Sequence, residues 1–66
     1  MVAREIRRLI AVSGLSQRQF AGTVGTSGSR MSTYARGTVV PSAAMMLRIS
    51  RVSRLLSEER ASVARQ

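Results

Sequence analysis

Gly14, Gly25 and Gly37 each close an amphipathic stretch, and Pro41 follows the last of them. Glycine just past a helix end adopts the left-handed geometry that side chains resist. This punctuation predicts short helices in succession, joined by tight turns.

The first helix is expected over about Val2–Val12. Val2, Ile6, Leu9, Ile10 and Ser13 follow the i, i+3, i+4, i+7 spacing of one face, with Arg4, Glu5, Arg7 and Arg8 on the other. The second begins at Ser16, an N-cap whose hydroxyl can accept from a first-turn amide. Gln19, three residues on, completes a capping box, and Leu15 and Phe20 are spaced as a hydrophobic staple. It runs to Val24. The third starts after Ser27 and ends near Ala35 or Arg36, burying Met31, Tyr34 and Ala35 and turning Ser29, Ser32, Thr33 and Arg36 outward.

Ser42, after Pro41, caps a fourth helix. Met45, Ile49, Val52, Leu56 and Val63 form a heptad-like seam, interrupted by Glu59. We expect this helix to stop near Leu56. Ser57 would then cap a fifth whose first turn carries Glu58 and Glu59, since acids suit a helix N-terminus. The alternative is one helix from Ala43 to about Ala64. The fold class is all-α: a compact bundle of four or five short helices. It forms one domain over residues 1–66, with its core at about 2–56 and a C-terminal helix or extension at 57–66.

Charge narrows the function. The chain of 66 residues has a formal net charge of +8, and all eleven basic residues are arginine. Up to residue 57 the one acid is Glu5. This imbalance attracts polyanions. With no Cys or His and three carboxylates, the chain lacks the usual metal ligands and proton-transfer groups. We expect no catalytic residue, no metal and no cofactor. No apolar run is long enough to span a membrane, and Arg4, Glu5, Arg7 and Arg8 cut any signal-peptide core. The expectation is a soluble cytoplasmic protein with no membrane partner and no small-molecule substrate.

Two helices that cross through a tight turn need a small residue at the crossing and a turn residue tolerant of positive φ. Ala21 and Gly25 supply these. Phe20, Val24, Met31 and Tyr34 would lock the crossing and leave the polar face of the third helix free to meet a base-pair edge. This is the layout of a helix-turn-helix.

The chain resembles the Cro and phage-repressor helix-turn-helix family, also called XRE-like or lambda-repressor-like, over roughly Ile6–Ile49. Gly14-Leu15-Ser16-Gln17, Phe20-Ala21, Val24-Gly25-Thr26-Ser27, Met31-Ser32, Gly37 and Pro41-Ser42 carry the resemblance. It implies a sequence-specific regulator of transcription that binds double-stranded DNA, acts as a repressor and reads the major groove with the third helix. It also implies a bacterial or phage setting, associated with the nucleoid. Base-facing positions would be Gly28, Ser29, Ser32 and Thr33. Gln17 would hold a phosphate, the Ser42 end of the fourth helix another, and Arg36 and the loop Thr38–Val40 would run along the backbone. Arg18 joins the phosphate-contacting set. Arg30, on the flank, belongs to that set as well if it meets the groove, the alternative being solvated surface.

The reading face lacks the Gln, Asn or Lys frequent in the family, and Ala35 stands where many members carry an acid. Preference then falls to hydroxyls, Arg30, Arg36 or DNA shape. Val52, Leu56 and Val63 are core against the first helix or a seam for a homodimer or partner. Arg48, Arg51 and Arg54 form a stripe read as solvated surface, or as a contact with DNA flanks or an acidic partner. The rival reading is an antitoxin or protein-interaction module whose C-terminal helix binds a toxin-like partner, with DNA binding secondary.

Overall fold

Four helices follow one another in the computed structural model, which describes residues 2–64: α1 (Val2–Ser13), α2 (Gln17–Val24), α3 (Gly28–Arg36) and α4 (Ala43–Ala64). Residues 1, 65 and 66 of the expected domain lie outside that description. No strand occurs among the described residues. The all-α reading holds, with four helices rather than five.

The local signals account for the helix ends. The Ser16 hydroxyl accepts from the Gln19 amide at 3.1 Å, and the Gln19 side chain accepts from the Ser16 amide at 3.0 Å. This reciprocal pair satisfies two amides at the start of α2. The Ser27 hydroxyl accepts from the Arg30 amide at 3.0 Å, and that of Ser42 from the Met45 amide at 3.1 Å. Gly25 follows α2 at φ 94°, donating its amide to Ala21 and Gly22 carbonyls.

The core is one cluster. Ile6, Leu9 and Ile10 from α1 meet Phe20, Ala21 and Val24 from α2, Met31, Tyr34 and Ala35 from α3, and Ile49 from α4. Leu15, Met45, Met46, Val52 and Leu56 pack around it, half-buried. Val2, expected on the buried face of α1, is exposed. Ser53 is fully buried instead, although the heptad pattern passes over it. Its hydroxyl donates to the Leu9 carbonyl at 2.6 Å, so α4 can lie against α1 with no orphaned polar group there.

The expected break at Ser57 is absent, and α4 runs through it as one helix of 22 residues. Three contacts explain this. Leu56 is packed against the core, Arg54 faces Glu58 at 3.8 Å one turn away, and Arg60 donates to the Val12 carbonyl at 2.9 Å. With no Gly or Pro to stop the helix, the acids sit mid-helix where an i, i+4 arginine accommodates them. Arg60 also folds over Gly14, where a Cβ would lie 2.8 Å from its Nη1. The Arg60 side chain could shift to admit a Cβ, so it is the φ of 80° that favours glycine at Gly14.

These contacts set three stability expectations, all readable by thermal denaturation. Gly22 lies inside α2, and a Cβ there meets nothing within 4 Å. Gly22→Ala should stabilise by roughly 0.4–1 kcal/mol, a rise in Tm of several degrees. Gly25→Ala, forced into the left-handed region, should lose about 1–2 kcal/mol. Arg60→Met should cost about 0.5–1.5 kcal/mol, the usual net worth of a hydrogen bond. It should also speed amide exchange in the last turns of α4, whereas unchanged exchange there would remove Arg60 as the tether.

Candidate nucleic-acid interface

The crossing of α2 and α3 is built from a small contact and a tight turn. Ala21 is fully buried, and the amides of Gly25 and Thr26 both return to its carbonyl, at 3.0 and 2.9 Å. The chain therefore reverses within a few residues, and Ser27 starts α3 at once. Met31, Tyr34 and Ala35 face the core. The opposite edge of α3 is left outside, with Ser29 exposed and Gly28, Ser32 and Thr33 half-buried at its margins.

Gln17, Arg18, Gly28, Ser29, Arg30, Thr33 and Ser42, all singled out in the sequence, share one surface, whose hollows Thr38 does not line. Gln17, Arg18, Gly28 and Ser29 line a shallow concavity where the N-termini of α2 and α3 meet. Ser27, Ser29, Arg30, Thr33 and Val39 line a second. A third shares Arg30 and Val39 and reaches Pro41 and Ser42. Shared residues make the surface continuous from the start of α2 to the start of α4. Ser32 and Arg36 lie on α3 outside these hollows. Val52 and Leu56 lie elsewhere, at the edge of the core, and Val63 is 70% exposed near the end of α4.

Two hydroxyls on or beside the surface are committed to the backbone. Thr33 Oγ1 donates to the Arg30 carbonyl at 2.6 Å, and Thr38 Oγ1 donates to the Thr33 carbonyl at 3.1 Å. The amides of Thr38 and Val39 reach the same Thr33 carbonyl, at 3.0 and 3.4 Å. One carbonyl thus anchors the loop after α3 and brings Val39 beside Ser29 and Thr33. Sequence reasoning set the whole loop Thr38–Val40 along a DNA backbone and gave Val39 no role of its own. A loop residue obeys no helical period, so periodicity carried no signal for it.

The surface is cationic. Arg18, Arg30 and Arg36 are exposed, their guanidinium groups form no hydrogen bond or ion pair among the described residues, and no carboxylate lines the three hollows. Glu5 is drawn to Arg8 on α1 instead. The hydrogen bond from that guanidinium, aided by its charge, holds the Glu5 carboxyl below its usual range. The pair adds its small stabilisation above the ordinary carboxylate pKa and loses it as pH falls through the lowered value. Arg48, in the stripe read as solvated surface or partner contact, donates to the Val24 carbonyl at 3.4 Å. No helix of the described residues is long and apolar enough to cross a membrane, and no group of three potential ligands there could hold a metal.

No curated protein and no solved structure matches the chain. The model of one family, described as a helix-turn-helix domain, does match, over residues 2–63. Such domains are in general DNA-binding regulators and typically not enzymes. Since the match spans all four helices almost to the end of α4, the chain belongs to the helix-turn-helix domain family.

Proposed function

We propose that this domain is a sequence-specific repressor that lays α3 in the major groove of double-stranded DNA and works as a homodimer. The observation that carries the reading is the continuous, acid-free surface joining the starts of α2 and α4 across the exposed edge of α3. Gly28, Ser29, Ser32 and Thr33 face the bases. Gln17, Arg18, Arg30, Arg36 and Ser42 hold phosphates around them, aided by first-turn amides. Thr38 reaches the backbone as part of the anchored loop. The dimer brings two copies of α3 to half-sites about 34 Å apart. The reading gives the protein no catalytic step.

A second reading has an observation of its own. Leu15, Leu56, Ala61 and Val63 help line a groove between the end of α1 and the end of α4, away from α3. A toxin-like partner seated there would make the domain an antitoxin. Val63→Glu separates the readings: lost partner binding with DNA binding intact favours the antitoxin.

The test of the main reading is selection from a random DNA pool at two salt concentrations. A palindromic motif that survives higher salt supports a dimeric, sequence-specific regulator. Enrichment of nothing, with affinity collapsing as salt rises, leaves charge-driven binding alone. On a selected site, Arg36→Ala should weaken all sequences alike and flatten the salt dependence by about one phosphate contact. Thr33→Ala should shift preference modestly. Abolished discrimination in Arg36→Ala would reverse these two roles.

A further inference from the structure

We propose that the hollow between α3 and the following loop receives the 5-methyl group of a thymine, and that Val39 is the residue that reads it. The proposal rests on the major-groove reading above and deepens it.

The chemistry of the surface leads there. Direct readout normally uses side chains that present paired donors and acceptors to a base edge. Here Gly28 has no side chain, and Thr33 donates its hydroxyl proton to its own helix. Thr38 donates its proton to the Thr33 carbonyl. Beside the Arg30 guanidinium and the Ser29 hydroxyl, the surface offers an aliphatic side chain. Val39 is 49% exposed and lines the hollow together with Ser27, Ser29, Arg30 and Thr33.

A valine held half-open beside a reading helix can exclude water from one partner in the major groove, the pyrimidine methyl. Its position is fixed by the bonds from Thr38 and Val39 to one carbonyl of α3. Ser29 lines the same hollow, and its hydroxyl has no partner among the described residues. It is placed to donate to O4 of the same thymine. Val40, its neighbour, is 70% exposed and lines the adjoining hollow with Pro41 and Ser42, away from Ser29 and Thr33.

The experiment uses the full chain and a DNA site obtained by selection. Each thymine is replaced in turn by deoxyuridine, which lacks only the methyl group, and affinity is measured at fixed salt. One thymine per half-site should lose about threefold to fivefold, the size of one buried methyl group. The loss should vanish in Val39→Ala and persist in Val40→Ala. Both positions are exposed loop residues, and circular dichroism checks that each variant folds. Comparing 5-methylcytosine with cytosine at that step identifies the source. No gain assigns the contact to thymine with its O4, and an equal gain assigns it to the methyl alone. Indifference to deoxyuridine at every thymine, or an undiminished loss in Val39→Ala, overturns the proposal and leaves the major-groove reading standing. A pool that enriches no sequence overturns both.

Discussion

Every α-helix ends in carbonyl oxygens that lack an amide partner, and in this domain an arginine from a different helix meets each of the first three ends. Arg60 of α4 donates to Val12 of α1, Arg48 of α4 to Val24 of α2, and Arg7 of α1 to Ala35 of α3 at 2.6 Å. Each contact satisfies an acceptor, sets a cation against the negative end of a helix dipole and ties two elements together. A chain this small buries a modest core, so ties of this kind matter more than they would in a larger protein. They also fix the relation of α3 to the helices behind it, which any reading of a base edge requires.

The same contacts divide the arginines by task. Arg8 and Arg54 face Glu5 and Glu58, while Arg7, Arg48 and Arg60 close helix ends. Arg18 and Arg30, which line the hollows around α3, have no such engagement among the described residues. The formal charge of +8 therefore overstates what the candidate interface contributes. Long-range attraction for a polyanion comes from the whole charge distribution. The contacts that would release counterions come from a few side chains around α3.

This division also marks what could be read in the sequence. The caps at Ser16, Ser27 and Ser42 and the glycines after α1, α2 and α3 are local signals. They placed the helix ends, and the period of α3 placed its outer edge. The arginine ties join residues 24 to 48 positions apart, and no local pattern announces them. Ser57 shows the cost. A serine followed by two glutamates is locally a helix start, but Arg54 and Arg60 make it the middle of one. Ser53 is the converse. A polar residue between seam positions would be read as exposed, yet the Leu9 carbonyl across the interface makes its burial possible.

The candidate site divides in the same way. Its side chains on α3 follow from helical period, whereas its character follows from bonds that commit them. Once Thr33 and Thr38 give their protons to backbone carbonyls, the surface holds charge on its rim and few directed donors within. Charge on a rim fixes a protein to DNA of any sequence. Discrimination must then come from shape, from the remaining hydroxyls or from apolar contact with a base. Under the proposed function, each depends on how closely α3 approaches the groove. Small residues at Gly28, Ser29 and Ser32 permit a close approach, and the loop anchored at the Thr33 carbonyl holds Val39 beside that edge. The proposed role of α3 thus remains compatible with sequence preference despite its few hydrogen-bonding side chains, because the bonds around it hold both the helix and its apolar neighbour in place.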